Sequence, residues 1–284
     1  MSSPAFKFPK IPDLLKLLNV RLSPHKSQHF MHNYAVCEQI AEAGKPTPKH
    51  WVLEVGTGLG NLTAALAQRS GQVYSVEMDE SFRPWHEQLQ GKLPNIHVEY
   101  ADFLTLDLQE IVPRDCPITF ISNLPYQITA PVLFKLMESN LPWEQIALVI
   151  QLEVAERITA GPGTRRATAL TYKLAYEYDS QILKKIGPQE FIPPPRVQSA
   201  LLQLIPKSSV PFRDAEHRTR VHALVSGVFQ HRRRTLVNAL LLGGLSLPKD
   251  AIVAALEKVG ISEQARPETL GLEDFLALES ALYS

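Results

Sequence analysis

The sequence predicts a doubly wound, Rossmann-like α/β domain followed by a small all-helical domain. Two observations support this prediction. Between residues 50 and 151, short apolar runs rich in β-formers alternate with longer helical stretches, as expected of a parallel sheet with helices on both faces. From about Asp214 onward the pattern is helical throughout. We place the boundary at Pro206, which gives domains of residues 1–206 and 207–284.

The predicted elements follow from apolar runs and from turn or cap residues between them. Strands are predicted at residues 51–55, 72–77, 97–100, 118–122, 146–151 and, after a proline cluster, 199–205. Helices of the first domain are predicted at residues 61–67, 81–93 with Ser81 as the N-cap, and 153–160. Helices of the second domain are predicted at residues 217–230, 234–242, 249–259 and 272–282.

Composition and the first residues argue against a membrane protein, a disulfide-rich protein and a metal-binding protein. Lys plus Arg and Asp plus Glu are equal at 29 each, so a nucleic-acid surface requires that positive charge be segregated onto one face. The first residues lack a basic region followed by an apolar stretch, so we expect a cytoplasmic protein without membrane contact. Cys37 and Cys116 are expected to be reduced structural thiols, and no metal site is expected.

A glycine-rich turn follows the first predicted strand. Gly56, Gly58 and Gly60 lie where that strand turns into a helix, at the sheet edge where ligands bind in doubly wound folds. Glycine permits positive φ and lets a ligand approach the backbone closely. Tight packing of a strand against a helix also requires glycine, so this turn alone does not establish a ligand.

Two carboxylates at successive strand ends indicate an adenosine pocket. Glu77 ends the second strand, where it can accept from both ribose hydroxyls, and Asp102 follows the third, where it can accept from an adenine amino group. Either one alone could be a helix cap or a solvated strand end. NAD is the alternative to S-adenosylmethionine, but its fingerprint needs two residues between the second and third glycines, and only Leu59 separates Gly58 from Gly60. S-adenosylmethionine carries no phosphate and does not need that geometry.

The tetrapeptide Asn123-Leu124-Pro125-Tyr126 follows the fourth strand and matches the needs of amine methylation. An aromatic amine is a poor nucleophile unless acceptors hold its hydrogens, and the Asn123 side-chain carbonyl and the Leu124 backbone carbonyl can do so. Pro125 fixes φ, and the Tyr126 ring can stack on an extruded base. Because Asn and Pro are common in turns, a plain turn is the alternative interpretation.

With the glycine turn, both carboxylates and the tetrapeptide in this order, the sequence resembles the KsgA-type ribosomal RNA adenine dimethyltransferases. The resemblance covers nearly the whole chain. Further matching segments are residues 28–30, 151–157, 191–197, 229–236 and 266–268. The chain departs from the family pattern at His29, where Asn is usual, and at residues 165–170, where a Tyr-Gly-x-Leu-Ser pattern is usual.

The resemblance implies a class I methyltransferase fold and S-adenosylmethionine as the cofactor. It implies dimethylation of N6 in two adjacent adenines near the 3′ end of small-subunit (16S) ribosomal RNA. The implied substrate is a precursor 30S subunit during ribosome biogenesis, and the implied enzyme is a monomer. Phe191 would face Tyr126 across the target base, so that the catalytic residues would be Asn123, Leu124, Tyr126 and Phe191. The implied cofactor contacts are His29, Met31, Gly56, Gly58, Glu77, Asp102 and Asn123.

Basic residues concentrate in the second half of the chain. We expect phosphate contacts from Arg165 and Arg166 and from Arg232, Arg233 and Arg234, in the domain that would bind RNA and the ribosome. A solvated helix start is the alternative for the arginine triplet, although like charges are unfavourable at a helix N-terminus.

Three alternative functions share the predicted core. They are an Erm-type methyltransferase of large-subunit ribosomal RNA, a DNA adenine methyltransferase, and a binding protein that has lost catalysis. The C-terminal segments favour the KsgA type over Erm. DNA enzymes typically carry Asp-Pro-Pro-Tyr, and the intact Asn123 and adenosine pocket argue against a protein without activity.

Overall fold

The computed structural model describes residues 8–18 and 29–283, and its contacts divide the chain into two compact units. The first comprises the described residues up to Ala155 together with Gln181–Ile205. The second comprises Glu156–Ser180 and the described residues from Pro206 onward. In the described part of the chain, no helix combines the length and apolar character needed to cross a membrane.

The chain passes from the first unit to the second between Ile205 and Pro206, and the units differ from the predicted domains in one further segment. We predicted that residues 156–180 belong to the first domain, whereas they pack with the second unit. Tyr172 and Tyr176 explain the difference, because both are buried in an apolar cluster with Phe275 and other residues of the C-terminal helices. The rings of Tyr172 and Phe275 meet edge to face, with 5.2 Å between their centroids.

The strands form a seven-stranded sheet and a two-stranded ribbon. In chain order they are β1 (Phe30–Met31), β2 (Trp51–Val55), β3 (Gln72–Glu77), β4 (Ile96–Tyr100), β5 (Ile118–Asn123), β6 (Trp143–Gln151), β7 (Tyr178–Ile186), β8 (Phe191–Ile192) and β9 (Ser199–Pro206). The large sheet has the spatial order β4-β3-β2-β5-β6-β9-β7, and β1 pairs with β8.

The order of the sheet determines where a ligand can bind. Strands β4, β3, β2, β5 and β6 are parallel, whereas β9 runs antiparallel to β6, so the sheet is mixed rather than purely parallel. Strand β2 pairs with β3 on one side and with β5 on the other, so the chain order reverses there. A reversal of this kind opens a crevice at the carboxyl ends of the strands.

The helices cover the sheet and build most of the second unit. They are α1 (Ile11–Leu17), α2 (Tyr34–Ala43), α3 (Asn61–Ala67), α4 (Arg83–Lys92), α5 (Leu108–Ile111), α6 (Thr129–Glu138), α7 (Leu152–Thr159), α8 (Ala169–Glu177), α9 (Ala215–Gln230), α10 (Leu236–Leu242), α11 (Lys249–Lys258) and α12 (Leu272–Leu282). All seven residues of α3 are buried, which explains its small and apolar composition.

The structure confirms the predicted bounds of β2, β3 and α3, but the start of α4 differs. We predicted Ser81 as its N-cap. Instead the Asp79 carboxylate accepts from the backbone N–H of Ser81 at 3.2 Å and caps a 3-10 turn, Glu80–Phe82, ahead of α4. The Ser81 hydroxyl donates to that same carboxylate at 2.6 Å, so it is used as a donor rather than as the capping acceptor.

The second unit encloses one fully buried carboxylate. Glu279 is 0% exposed, and it accepts from the Arg220 guanidinium and lies 3.1 Å from His217 Nε2. Arg213 Nη2 lies 3.4 Å from the same carboxylate. A buried charge is tolerated only when it is paired, so these contacts fix α9 against α12.

Candidate functional site

A cavity of about 630 Å³ lies at the carboxyl ends of the central parallel strands. Its size is typical of a small-molecule site. The structure brings the predicted cofactor-binding and catalytic residues, except Phe191, together in its lining, namely His29, Met31, Gly56, Gly58, Glu77, Asp102, Asn123, Leu124 and Tyr126. These residues come from separate segments of the chain, and the strand order gathers them at one edge.

The glycines of the turn after β2 adopt positive φ, one of them packs closely against a helix, and two of them line the cavity. Gly56, Gly58 and Gly60 have φ values of +83°, +54° and +77°, which other residues rarely adopt. A Cβ atom at Gly60 would lie 2.6 Å from Leu89 Cδ2, so Gly60 is also needed for packing against α4. Gly56 and Gly58 line the cavity, where the bare backbone permits close approach of a ligand.

The Glu77 carboxylate ties together the turns after β2 and β3. Its Oε2 accepts from the backbone N–H of Gly58 at 2.8 Å, and its Oε1 accepts from those of Met78 and Asp79 at 2.9 Å each. Burial raises the pKa of this carboxyl, and the three N–H donors oppose that rise. Carboxylate oxygens have several acceptor sites, so Glu77 can still accept from a ligand.

Asp102 caps a turn, as one of the interpretations of the sequence expected, and it also borders the cavity. Its Oδ1 accepts from the backbone N–H of Leu104 at 2.9 Å and caps a 3-10 turn, Phe103–Thr105. The side chain is exposed, and Asp102 lines the cavity. Glu77 at the end of β3 pairs with Tyr100 at the end of β4. Asp102 therefore lies just beyond the end of β4, the strand next to that of Glu77.

Contacts with neighbouring strands fix the backbone around the tetrapeptide. The Leu124 N–H donates to the Val149 carbonyl at 3.2 Å, and the Ser122 hydroxyl donates to the Val55 carbonyl at 2.6 Å. Asn123 Nδ2 donates to the His29 carbonyl at 3.4 Å. With its amino end held in this way, the amide keeps Oδ1 as an acceptor for a ligand hydrogen.

The Tyr126 ring is held at its hydroxyl and covered on one face. Its Oη lies 2.6 Å from Ser199 Oγ. The His29 ring stacks on it with 5.9 Å between centroids and an interplanar angle of 26°. Because a carbonyl only accepts, His29 Nδ1 donates to the Pro193 carbonyl, 2.7 Å away. His29 therefore makes an aromatic contact at the place expected for a target base.

The position of Phe191 differs from the expectation that it faces Tyr126 across a base. Phe191 is 2% exposed, belongs to the apolar core of the first unit, and is not among the residues that line the cavity. The ribbon of β1 and β8 explains this. Phe191 pairs with Met31, which is buried in the same apolar core, and side chains directly opposite each other in an antiparallel pair share a face.

Glu54 is a site residue that the sequence reasoning missed. It is 1% exposed, lines the cavity floor, and accepts from the hydroxyls of Thr63 at 2.6 Å and Ser75 at 2.7 Å through Oε2. Burial raises its pKa from the ordinary 4.5 to about 8, so the carboxyl is largely protonated at pH 7. The available signal was one glutamate inside the otherwise apolar β2.

The predicted RNA-binding residues lie in the second unit, and all five are exposed. Arg232 Nη1 donates to the Ala167 carbonyl at 3.3 Å, which brings the arginine triplet beside Arg165 and Arg166. Residues 231–234 form a turn, and α10 starts only at Leu236 rather than at the predicted Arg234. The positive end of a helix disfavours arginines, which accounts for this later start.

The chain matches a family of ribosomal RNA enzymes over most of its length. The family model described as ribosomal RNA adenine dimethylase matches residues 20–282. The ribosomal RNA small subunit methyltransferase A of Alkaliphilus oremlandii is 33% identical over 96% of both chains. The protein of that name from Levilactobacillus brevis is 33% identical over 93% of this chain and 92% of its own.

Two solved structures share this fold with the chain. A dimethyladenosine transferase from Plasmodium falciparum aligns with a TM-score of 0.70 and 25% identity, over 88% of this chain and 96% of its own. The 23S rRNA methyltransferase ErmE aligns with a TM-score of 0.66 and 28% identity, over 90% of this chain and 100% of its own.

The raised pKa of Glu54 predicts a stability change with pH. A carboxyl whose pKa is raised on folding stabilises fully below its unfolded pKa, and this stabilisation is lost as pH rises to the folded pKa. The glutamine of a Glu54→Gln variant does not titrate. Between pH 4.5 and 8 the free energy of unfolding of the parent should therefore fall, relative to that of the variant, by about 1.4 kcal/mol per pH unit. Above pH 8 the difference should be constant.

Urea unfolding of both proteins at a series of pH values measures this difference, with tryptophan fluorescence as the signal. Trp51, Trp85 and Trp143 all lie in the first unit, so the signal reports on the unit that contains Glu54. Parallel stability curves for parent and variant from pH 5 to 8 would show that Glu54 is ionised at neutral pH.

Proposed function

The chain belongs to the ribosomal RNA adenine dimethylase family, and on that premise we propose that its cavity binds S-adenosylmethionine beside an adenine whose N6 amine it methylates twice. One observation carries the proposal. Glu77, Asp102 and Asn123 to Tyr126 line one cavity at the point where the strand order reverses. That arrangement joins an adenosine site to a set of acceptors for an amine.

The cavity fits the proposed cofactor in size and in chemistry. Its volume of about 630 Å³ accommodates a nucleoside with an amino-acid tail. The exposed Asp102 carboxylate is an acceptor for an adenine amino group, and Glu77 is an acceptor for ribose hydroxyls. At Gly56 and Gly58 the absence of Cβ atoms lets the backbone contact the ligand directly.

When bound, S-adenosylmethionine supplies an activated methyl group on a sulfonium. The residues of this chain then position the amine. Asn123 Oδ1 and the Leu124 carbonyl accept its two hydrogens, which turns the nitrogen lone pair toward the methyl group. The Tyr126 ring, held through its hydroxyl by Ser199, supports the base. Catalysis is mainly positioning, and a monomethylated amine keeps one hydrogen for Asn123 Oδ1.

The proposed substrate is small-subunit ribosomal RNA. We propose two adjacent adenines near its 3′ end as the target, in a precursor 30S subunit in the cytoplasm, acted on by a monomer. The small-subunit assignment is supported by relatives that carry this substrate in their names. The exposed cluster of Arg165, Arg166 and Arg232–Arg234 supports phosphate contacts from the second unit.

We expect the protein to transfer labelled methyl groups to undermethylated small subunits. The measurement is incubation with labelled S-adenosylmethionine and, in separate reactions, small subunits, large subunits or duplex DNA, followed by nucleoside analysis. Label should appear as N6,N6-dimethyladenosine in small-subunit RNA. Label confined to large-subunit RNA would favour the Erm-type alternative, label confined to DNA would favour a DNA enzyme, and label in none would contradict the proposal.

An Asn123→Ala variant should lose transfer and largely keep cofactor binding. The variant lacks one acceptor for the reacting amine, so single-turnover methylation should slow by about 10²- to 10³-fold. Loss of a comparable preorganised hydrogen bond slows other enzymes by a similar factor. Affinity for S-adenosylhomocysteine, measured by calorimetry, should change by less than about tenfold.

Ser199→Ala is the matched control, because it removes only the partner of the Tyr126 hydroxyl and leaves Asn123 in place. Its rate should fall by about tenfold or less. Full activity of Asn123→Ala would show that the amine is activated by other groups.

A further inference from the structure

Helix α4 holds the glycine turn by two consecutive side chains. The Trp85 indole N–H donates to the Leu59 carbonyl at 2.8 Å, and His86 Nε2 lies 2.8 Å from the Gly58 carbonyl. Trp85 and His86 are almost fully buried, at 2% and 1% exposure. Two neighbouring carbonyls of the turn are therefore bound by the same helix.

The partners of His86 determine its tautomer. A carbonyl oxygen only accepts, so Nε2 carries the proton and donates to Gly58, and Nδ1 accepts from the Tyr100 hydroxyl at 2.6 Å. Burial and, to a smaller extent, the nearby Arg83 guanidinium lower the pKa of His86 to about 4, although the hydrogen bond to Gly58 opposes this. That guanidinium lies 3.9 Å over the Tyr100 ring. The imidazole is therefore neutral at pH 7 and has both nitrogens bonded.

The same glycine connects His86 to the carboxylate proposed to bind ribose. The Gly58 N–H donates to Glu77 Oε2 at 2.8 Å, while its carbonyl accepts from His86. With φ of +54° and no Cβ, Gly58 has little intrinsic preference for this conformation, so outside contacts must fix it. Glu77 fixes the peptide on one side of its Cα, and His86 fixes the peptide on the other.

We propose that His86 is a positioning residue for the cofactor, which holds Gly58 so that the turn and the Glu77 carboxylate are preorganised for adenosine. This inference rests on the proposed function, because it assumes that the cavity binds S-adenosylmethionine. A turn held in its bound conformation loses less entropy when the ligand binds. Loss of the His86 bond should therefore weaken cofactor binding and leave the positioning of the amine at Asn123 unchanged.

The test compares three variants with the parent. His86→Leu removes both hydrogen bonds and keeps an apolar side chain in the buried site. His86→Gln retains a donor, Nε2, that reaches the Gly58 carbonyl. Tyr100→Phe removes one hydroxyl and keeps the ring under Arg83. The readouts are calorimetric affinity for S-adenosylhomocysteine, and KM for S-adenosylmethionine and kcat with undermethylated small subunits.

His86→Leu should raise the Kd for S-adenosylhomocysteine and the KM for S-adenosylmethionine by about tenfold, with kcat at saturating cofactor within about twofold of the parent. His86→Gln should recover most of that loss. Tyr100→Phe removes a single hydroxyl and serves as the second variant if His86→Leu does not fold. It should raise the Kd about threefold.

The inference is overturned if His86→Leu and Tyr100→Phe bind like the parent, if kcat falls while the Kd is unchanged, or if a folded His86→Gln binds no better than His86→Leu. A parent that does not bind S-adenosylhomocysteine would instead contradict the proposed function.

Discussion

The Glu77 carboxylate accepts hydrogen bonds from three backbone N–H groups, and through them it fixes the turns that follow two adjacent strands. Gly58 belongs to the turn after β2, and Met78 and Asp79 belong to the turn after β3. Because β5 pairs with β2 on its other side, Asn123 is brought to the same edge of the sheet. The cavity thus depends on one acidic group that organises backbone donors and on parallel strands that end at the same edge of the sheet.

Polar groups under the cavity are tolerated because each is paired. Glu54 lies within the buried β2 and is bound by the hydroxyls of Thr63 and Ser75, and its raised pKa leaves it largely neutral at pH 7. The nearby Glu77 carboxyl contributes to the raised pKa of Glu54, since two negative charges close together are unfavourable. One carboxyl of the cavity lining is therefore neutral, and Glu77 and Asp102 line the same cavity. His86 adds a neutral, fully bonded imidazole behind the turn.

Local sequence pattern was sufficient to predict the elements that line one side of the cavity. Strand β2, the glycine turn and α3 combine an apolar run, positive-φ glycines and a helix of small residues, and each signal is local. Tertiary effects decided the rest. Phe191 is turned into the core by pairing with Met31, a partner far away in sequence. Residues 156–180 join the second unit because Tyr172 and Tyr176 pack there. The contact between His86 and Gly58 forms only because α4 packs against the glycine turn. No local sequence pattern could therefore indicate it.

The proposed function depends most on Glu77, which we propose binds the ribose of an adenosine cofactor. The most direct measurement is a calorimetric double-mutant cycle that combines Glu77→Gln with an S-adenosylhomocysteine analogue lacking the ribose 2′-hydroxyl. Removing the hydroxyl should weaken binding to the parent by about ten- to a hundredfold, as expected for a hydrogen bond to a charged group, and should hardly affect binding to Glu77→Gln. Equal loss of affinity in both proteins would contradict the account, because it would show that the hydroxyl binds elsewhere.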